Sequence, residues 1–369
     1  MQHATHTAPI TRIAVAGAGY IGQAHMQAIA TTPNAQLGAL VDPSPSAKTL
    51  ASKLGVAYFE NLNDLLTANT DKRLVDACVV ATPNDMHAEQ AIACINADVP
   101  VLVEKPVAHT VEAAQRLLQV AASSAVPVLV GHHRAHSAIM RQACALVTGG
   151  QLGSLVSVVG TAWFFKPDHY FEDSPWRKKI GAGPLLLNMI HEIHNLRMLC
   201  GEVVHVQAMT GHHTRGFEVE DTASINLRFD SGVLASFAIS DTAASPKSWE
   251  QTSQENPAYT SYPDQNCYYL AGTRGSLAVP TMQLHTYLED TQRSWWKPFT
   301  KQAAPVTHDD PIANQMAHFV QVARGLQPPL VTVRDGLQNL KIVQAIVHAA
   351  HSGAIVDMTS FNPTQTPHP

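Results

Sequence analysis

The sequence predicts an α/β fold with two domains, the first built on a parallel sheet and the second on a mostly antiparallel sheet. Three observations lead to this prediction. The chain has 369 residues, which corresponds to about two domains at roughly 150 residues each. Short apolar runs alternate with helical patterns in the first third of the chain, and strand-like runs with few intervening helices follow. We expect a loose tail over 1–9, a first domain over 10–132 and a second over 133–369.

The first domain alternates between two periods. Apolar runs that are too short for helices and that end in turn residues predict buried parallel strands at 13–16, 36–41, 75–81, 101–103 and 126–130. Helical patterns separate several of them, at 21–32, 84–97 and 110–122. We expect Asn84 and Thr110 to cap the second and third of these helices. The order is the βαβ rhythm of a sheet that is covered on both faces.

The second domain has a different rhythm. Strand-like stretches, several of them alternating between apolar and polar residues, are predicted at 154–165, 202–210, 221–229, 232–240 and 267–272. Some are joined by turns as short as 230–232, which favours antiparallel neighbours. Helices are predicted at 184–200, 311–325 and 334–351, and we expect the last two to bridge back across this sheet.

The composition is that of a globular chain and argues against several classes of protein. Hydrophobic residues make up 45% and charged residues 14%, unlike disordered chains. The formal net charge of −5 does not favour nucleic-acid binding. We see no apolar run of membrane-span length and no signal-peptide pattern in the first ten residues. The five cysteines are widely spaced and the 20 histidines are mostly scattered, so we expect reduced thiols, a cytoplasmic location and no metal site.

The first predicted strand leads directly into a glycine-rich turn. Gly17, Gly19 and Gly22 form a GxGxxG motif between that strand and the following helix. In this setting the first glycine turns the chain, the second lets the backbone approach a pyrophosphate, and the third allows the helix to pack closely on the strand. The motif predicts a Rossmann dinucleotide-binding domain, with Tyr20 and Ile21 also at the cofactor.

Asp42 ends the second predicted strand, twenty residues beyond Gly22. An acidic side chain at this point can accept hydrogen bonds from the ribose hydroxyls and repels a 2′-phosphate, so NAD is predicted as the cofactor and NADP is disfavoured. The alternative interpretation is an aspartate that caps a helix before Pro43.

Two further polar segments follow the strands predicted at 75–81 and 101–103. They lie at the carboxyl edge of the sheet, where ligands bind in open α/β folds. The first reads ATPNDMH over 81–87 and the second EKP over 104–106. A lysine between an acid and a proline has a restricted backbone, so we expect it to be aimed at the cofactor. The cofactor-binding residues predicted in these segments are Thr82, Pro83, Asn84, His87, Glu104 and Lys105.

These motifs together resemble the Gfo/Idh/MocA oxidoreductase family. The resemblance rests on GAGYIG at 17–22, ATPNDMH at 81–87, VEKPV at 103–107 and a glycine-rich stretch leading to His191, and it extends over essentially the whole chain from about residue 10. It implies an N-terminal Rossmann domain and a C-terminal α+β domain on a large open sheet whose outer face commonly pairs subunits. It also implies a nicotinamide cofactor bound between the domains, with Lys105 beside the nicotinamide and the reacting carbon–oxygen group.

The second motif of that family is altered in this chain. The family has several glycines, an aspartate and, four residues later, a histidine that acts as acid–base partner. Here His191 matches, but Leu187 stands in place of the aspartate, and His194 stands where relatives often have another aspartate. Leucine cannot exchange protons, and the amide of Asn188 can form hydrogen bonds but cannot act as a base. We therefore predict a catalytic set in which Lys105 and His191 share the proton transfer and Asn188 positions the substrate.

Other candidate substrate-binding residues are less specific. Tyr170, Trp176 and Arg177 precede the glycine stretch, and aromatic rings with an arginine suit a polyhydroxylated ring or a carboxylate, although they could equally pack the sheet. Arg134 follows the last strand of the first domain, where substrate binding and interdomain bonding are both open. The predicted substrate site is completed by Lys105, Asn188 and His191.

The leading functional hypothesis is an NAD-dependent dehydrogenase. It would transfer hydride between the nicotinamide and a CH–OH or C=O group of a sugar, cyclitol or sugar-derived hydroxy compound, because the cofactor, lysine and histidine positions are all filled. The resemblance leaves two alternatives, an NAD-dependent glycoside-cleaving enzyme and a non-catalytic dinucleotide-binding regulator. We expect a small polyhydroxylated substrate, no nucleic-acid or membrane partner, and a homodimer or homotetramer formed through the C-terminal sheet.

Overall fold

The computed structural model describes residues 9–363, except for the side chain of Gln292. The tail expected over 1–9 therefore lies, apart from Pro9, outside the described residues. The chain divides into two compact units. The first unit contains the chain up to His136 together with Pro311–Gln338, and the second contains Ser137–Asp310 together with the chain from Asn339 onward.

The first unit is built on a six-stranded parallel sheet. Its strands are β1 (Thr11–Ala16), β2 (Ala35–Val41), β3 (Ala57–Phe59), β4 (Ala77–Val80), β5 (Val101–Glu104) and β6 (Val128–Gly131). Their order in the sheet is β3-β2-β1-β4-β5-β6, which is the order of a Rossmann dinucleotide-binding domain and confirms the predicted fold. The strand centres are apolar because both faces are covered, and Ile13, Val79 and Leu102 are fully buried. The sequence patterns predict five of these strands; β3 adds the sixth.

Helices connect the strands of this sheet. They are α1 (Tyr20–Thr31), α2 (Pro45–Leu54), α3 (Leu62–Lys72), α4 (His87–Asn96) and α5 (Val111–Ala122). Ser44, Asn61 and Thr110 each accept a hydrogen bond from the backbone N–H three residues later, so the predicted cap at Thr110 is confirmed. The predicted cap at Asn84 is wrong, because α4 begins only at His87 and the preceding residues form a turn.

The second unit is built on a nine-stranded sheet. Its strands are β7 (Leu155–Trp163), β8 (Val203–Gly211), β9 (Thr222–Phe229), β10 (Leu234–Ser240), β11 (Tyr268–Gly272), β12 (Gly275–Val279), β13 (Gln283–Thr286), β14 (Thr300–Ala303) and β15 (Val356–Asp357). Their order is β14-β13-β12-β11-β7-β10-β9-β8-β15. The paired strands are antiparallel except β7 and β10, which run parallel. The prediction of a mostly antiparallel second sheet is thus confirmed.

The remaining helices cover one face of this sheet or return to the first unit. They are α6 (Ala138–Thr148), α7 (Asp168–Glu172), α8 (Ile190–Cys200), α9 (Trp249–Thr252), α10 (Pro311–Ala323) and α11 (Val333–Ser352). Met140, Ile193 and Ile346, from α6, α8 and α11, share one apolar core with the sheet. Helix α10 instead packs against α1 in the first unit. The expectation that it bridges the second sheet is wrong, because an apolar helical face does not specify which sheet will cover it.

The other face of the nine-stranded sheet is exposed. Residues of β9 alternate strictly between exposed and buried, as expected for a strand with one covered face. Val159, Leu234 and Tyr269 on neighbouring strands are each about half exposed. Within residues 9–363, no helix has both the length and the apolar character that a bilayer crossing requires.

Candidate active site

The glycine-rich loop connects β1 to α1, and its three glycines have different surroundings. Gly17 has a φ of +99°, and a Cβ added there would lie 2.3 Å from the carbonyl oxygen of Ala81. A Cβ on Gly22 would lie 1.9 Å from the carbonyl oxygen of Gly17. At Gly19, apart from its chain neighbours, no described atom lies within 4 Å of that position. The first and third glycines are therefore required by packing, whereas the second borders open space.

The amino end of α1 also suits an anionic ligand. Within the described chain, no side chain caps the helix at Gly19, and its first turn carries no acidic residue. Backbone N–H groups at such an end carry partial positive charge and favour phosphate groups. Tyr20 is 75% exposed beside them. The loop therefore fits the pyrophosphate of a dinucleotide.

Asp42 joins the end of β2 to this loop. Its Oδ2 accepts a hydrogen bond from the N–H of Ala18 (2.8 Å), and its Oδ1 accepts from the N–H (2.8 Å) and hydroxyl (2.5 Å) of Ser44. Burial opposes ionisation of this carboxyl, but the bonds from Ser44 and Ala18 outweigh it and hold the pKa below its usual range. Ser44, rather than Asp42, caps α2. Asp42 is thus an ionised, partly exposed carboxylate that braces the glycine loop.

The segment after β4 is tied to the segment after β5 through His87. The ring nitrogens of His87 lie 2.7 Å from the carbonyl oxygen of Pro106 and 2.8 Å from that of Thr82, and the side chain is 1% exposed. The hydroxyl of Thr82 donates to Oε1 of Gln90 (2.7 Å). Pro83 is exposed and Asn84 is partly exposed at the tip of the turn. His87 thereby holds two predicted cofactor segments side by side.

Glu104 anchors the backbone of Lys105. One carboxylate oxygen lies 2.7 Å from Nε2 of His25, and the other accepts from the N–H of Lys105 (3.1 Å). Burial opposes its ionisation, but the bond and charge from His25, together with the positive charge of Lys105, hold the pKa of Glu104 below its usual range. A Cβ on Gly131 would lie 2.9 Å from Oε1 of Glu104, so the glycine makes room for this carboxylate. Lys105 itself is partly exposed.

Arg134 lies in a 3-10 turn, His133–His136, directly after β6. It is 3% exposed. Burial, assisted by the positive charge of Arg134, lowers the pKa of His133 to about 3. The turn therefore presents one permanent cation, because its neighbouring imidazole stays neutral.

In the second unit, the altered motif forms a π-helix over Leu185–Met189 that continues into α8. The helix predicted over 184–200 is present, and its first turn is a π-turn rather than an α-helical turn. Glu220 accepts a hydrogen bond from the N–H of Leu185 (2.9 Å) and fills the space that a Cβ on Gly183 would occupy. Side chains on one face of a π-turn are spaced differently from those of an α-helix. The three-residue separation of Asn188 from His191 therefore does not show whether their side chains lie on the same face.

Asn188 contacts a lysine that the sequence analysis missed. Nζ of Lys166 donates to Oδ1 of Asn188 (2.8 Å). Because a lysine ammonium can only donate, this bond fixes the orientation of the amide and leaves Nδ2 as its free donor. Burial lowers the pKa of Lys166 to about 8, although the negative charge of Asp241 opposes the shift.

Lys166 follows β7 and Asp241 follows β10. Because these two strands are parallel neighbours, both residues lie at the same end of the sheet. The distance from Nζ of Lys166 to Oδ2 of Asp241 is 3.9 Å. Arg215 binds this edge more tightly, since its Nε donates to Oδ1 of Asp241 (2.9 Å) and its Nη2 to the carbonyl oxygens of Asp241 (2.7 Å) and Lys166 (2.6 Å). The sequence carried one signal for this cluster, because Lys166 and Asp241 each come just after a predicted strand.

Tyr170 and Arg177, two predicted substrate residues, are in contact. The guanidinium carbon of Arg177 lies 3.8 Å from the centre of the Tyr170 ring, and its Nη1 donates to the Tyr170 carbonyl (2.6 Å). Lys166 lies 5.0 Å from the same ring centre. Trp176 is 52% exposed, with Arg177 at 5.6 Å from its ring.

His191 is the second residue of α8 and is 6% exposed. One turn further along, Nδ1 of His194 accepts a hydrogen bond from Nδ2 of Asn339 (3.1 Å), whose Oδ1 accepts from Arg197 (2.8 Å). Because Arg197 can only donate, the amide orientation of Asn339 is determined, and Nδ1 of His194 carries no proton. His194, at the position where relatives often have a second aspartate, is thus bound to α11 through Asn339.

Comparison with known proteins places this arrangement in a family. Residues 11–132 match the model of the oxidoreductase family with an NAD-binding Rossmann fold, named GFO_IDH_MocA, and residues 140–278 match the GFO/IDH/MocA C-terminal domain. The chain is 26% identical to 1,5-anhydro-D-fructose reductase of Ensifer adhaerens over 297 residues, which cover 77% of this chain and 80% of that enzyme.

Solved structures agree with the fold. Scyllo-inositol dehydrogenase of Lactobacillus casei, with bound NAD(H) and scyllo-inositol, superposes with a TM-score of 0.74 at 21% identity, covering 95% of this chain and all of that chain. The WlbA dehydrogenase of Bordetella pertussis, with NADH and UDP-GlcNAcA, gives a TM-score of 0.74 at 22% identity, covering 95% and 99%. With both family models matched and the strand order of each sheet accounted for, the chain belongs to the Gfo/Idh/MocA family of NAD-binding oxidoreductases.

Proposed function

We propose that the protein is an NAD-dependent dehydrogenase that transfers hydride between the nicotinamide and a CH–OH or C=O group of a sugar, cyclitol or sugar-derived hydroxy compound. The observation that carries this proposal is the glycine loop, in which Gly17 and Gly22 are closed by packing and Gly19 alone borders open space at a helix end. The substrate class is supported by relatives named for an anhydrofructose, an inositol and a glucose phosphate.

The chemistry assigned to the chain is proton transfer and positioning. When bound, the nicotinamide supplies the hydride acceptor or donor. Lys105 hydrogen-bonds the reacting oxygen, with its backbone fixed by Glu104. His191 accepts the hydroxyl proton, since an imidazole can exchange protons near neutral pH. Asn188 donates from Nδ2 to a substrate hydroxyl, because Lys166 occupies its oxygen.

The preference for NAD over NADP rests on Asp42. Its pKa is below the usual range, so the carboxylate is ionised at neutral pH. Two of its local donors, the N–H groups of Ala18 and Ser44, are backbone groups and keep it in place. A 2′-phosphate beside this charge would be repelled, whereas ribose hydroxyls can donate to it.

The test is the near-ultraviolet absorbance of NADH when purified protein and NAD are mixed with a panel of aldoses, inositols and sugar acids, with a matched NADP series. NADH formation with one class of compound supports the dehydrogenase and identifies its substrate class. A faster reaction with NADP contradicts the role given to Asp42. Calorimetric NAD binding without turnover of any compound contradicts the dehydrogenase and favours a dinucleotide-binding regulator.

Replacing Gly19 with alanine is expected to weaken NAD binding by about tenfold or more with little change in Tm. The added Cβ meets no described atom within 4 Å and the local φ of −69° is ordinary for alanine, so only the approach of a pyrophosphate is obstructed. Calorimetric titration with NAD and thermal unfolding provide the two measurements. Gly211→Ala, equally open but in the second unit, should change neither.

The exposed sheet face is proposed as the surface that pairs subunits in a homodimer or homotetramer. One row across it, defined by the strand register, contains Tyr269, Val159, Ser236, Asn226 and Gln207. The row carries no charge, which is unusual for a surface exposed to water.

The double variant Val159→Lys/Tyr269→Lys is therefore expected to be monomeric, because burying two unpaired ammonium groups opposes association. Light scattering coupled to gel filtration measures the mass. Leu54→Lys, an exposed apolar position in α2, is the control and should keep the wild-type mass. A monomeric wild type contradicts the assignment of this face.

A further inference from the structure

Two cations of the second unit lie against one aromatic ring. Nζ of Lys166 is 5.0 Å, and the guanidinium carbon of Arg177 is 3.8 Å, from the centre of the Tyr170 ring. The Lys166 side chain is only 12% exposed, and it reaches the altered family motif through its hydrogen bond to Asn188. Lys166 thus contacts both Asn188 in the altered motif and the ring of Tyr170, against which Arg177 also lies.

The carboxylates that act on Lys166 are Asp241, Glu250 and Glu220. Asp241, the carboxylate closest to Lys166, gives its Oδ1 to Arg215 at 2.9 Å and leaves Oδ2 at 3.9 Å from Nζ. Within residues 9–363, Arg177 has no carboxylate at ion-pair distance, and its buried Nε has no hydrogen-bond partner. A buried donor without an acceptor is costly, so Arg177 retains a donor that an oxygen of a ligand would satisfy.

We propose that Lys166 and Arg177 bind an anionic substituent, a carboxylate or a phosphate, of the polyhydroxylated substrate. This inference rests on the proposed function and narrows its substrate class from sugars in general to acidic sugars. The Arg177 guanidinium is suited to such groups because its planar donors match two oxygens at once, and Lys166 adds a point charge. The Tyr170 ring holds both cations in place without neutralising them.

The protonation of Lys166 depends on its burial and on the charges around it. Burial lowers its pKa to about 8, Asp241 and Glu250 oppose this, and the charges of Arg177 and Arg215 add to it. Tyr170, whose own pKa burial raises, is neutral at that pH. The titratable and charged groups facing Lys166 are thus Asp241, Glu250, Glu220, Arg177, Arg215 and Tyr170. A bound anion would raise the pKa of Lys166 again.

The sign of the pH effect follows from this shift. Well below pH 8 Lys166 is protonated with or without ligand, so binding takes up no proton there. Above pH 8 the free protein has lost that proton and must regain it to bind the anion. Affinity for an acidic sugar is therefore expected to fall by up to about tenfold per pH unit above this point, with proton uptake.

The experiment is calorimetric titration of the NADH-saturated protein, in which a hydroxy compound cannot be oxidised, with three kinds of probe. D-Glucuronate and D-gluconate represent carboxylates, D-glucose 6-phosphate represents phosphates, and D-glucose is the neutral reference. We expect at least one anionic probe to bind about tenfold or more tightly than glucose, and the better anion identifies the substituent. Equal or tighter binding of glucose overturns the inference.

Variants separate this site from a general charge effect. Arg177→Gln is expected to remove most of the advantage of the anionic probe, about tenfold. Lys179→Gln is the matched control, because Lys179 follows in the same segment but is exposed and paired with Glu218 at 3.0 Å, and it should keep the advantage. An unchanged preference in Arg177→Gln overturns the inference.

Proton uptake identifies the role of Lys166 independently of folding. At about pH 9, titrations in buffers of different ionisation enthalpy should show uptake by the wild type and none by Lys166→Arg, which stays protonated. Equal uptake in both overturns the assignment to Lys166. Failure to bind NADH would contradict the proposed dehydrogenase, whereas intact NADH binding without anion preference would contradict only this inference.

Discussion

Replacing Lys105 with methionine is expected to lower kcat by about 10²–10⁴-fold while NAD affinity stays nearly unchanged. Glu104 accepts a hydrogen bond from the backbone N–H of Lys105, and this bond does not depend on the side chain. The substitution therefore leaves the buried carboxylate and its bond to His25 in place. The substitution removes the ammonium that would hydrogen-bond the reacting oxygen, together with its smaller contribution to keeping Glu104 ionised. Steady-state kinetics with the best compound of the panel and a direct NAD titration measure the two quantities.

The control for this variant is Lys72→Met, an exposed lysine in the last turn of α3. It should retain wild-type kcat and NAD affinity. His191→Asn is expected to lose kcat to a similar extent with NAD affinity nearly intact. If Lys105 and His191 act on the same proton, the kcat of the double variant should be little lower than that of the less active single variant. A kcat within twofold of wild type in Lys105→Met, roughly the error of such comparisons, would remove Lys105 from the mechanism.

Replacing Gly22 with alanine is expected to destabilise the first unit by about 3 kcal/mol or more. The added Cβ would lie 1.9 Å from the carbonyl oxygen of Gly17, which is backbone and cannot rotate away. The tight turn at Gly17 is itself packed against Ala81, so it cannot move either. Relief requires α1 to separate from β1, which gives up apolar contacts across the sheet face.

Thermal unfolding measures this effect, and a decrease in Tm of roughly 10 °C is expected for a unit of this size. Gly19→Ala is the internal control, since it adds the same methyl group three residues earlier without a clash. A Tm equal to that of Gly19→Ala would show that the loop relaxes freely. It would also contradict the packing role assigned to the third glycine.

Much of the first unit could be predicted from the sequence because its signals are local. Each buried strand reads as an apolar run, and the glycine loop, Asp42 and Lys105 follow such runs directly. Strand β3 was missed because it has only three residues, too few for a clear pattern. Helix α2 was missed although the sequence carries its start signal in Ser44-Pro45 and its stop signal in Gly55.

The second unit was harder because its polar cluster depends on strand pairing. Lys166 and Asp241 lie far apart in the sequence and come together only because β7 and β10 are parallel neighbours. Short turns between strands favour antiparallel pairs, so this exception has no local signal. The π-turn at Leu185–Met189 likewise cannot be read from residue spacing, since the same residues would also fit an α-helix. Asn188 therefore stays a predicted site residue, and its contact with Lys166 is not predictable from the sequence alone.

The bonds of Asp42 set a limit on how cofactor preference can be redesigned or can evolve in this chain. One carboxylate oxygen holds the N–H of Ala18 inside the glycine loop, while the other is bound at Ser44. A single substitution that removes the charge to admit a 2′-phosphate gives up at least one of these two acceptors, because even asparagine keeps a single oxygen for either Ala18 or Ser44. If Asp42 sets the proposed preference for NAD, such a substitution toward NADP is therefore expected to loosen the glycine loop, unless a second substitution supplies the missing acceptor.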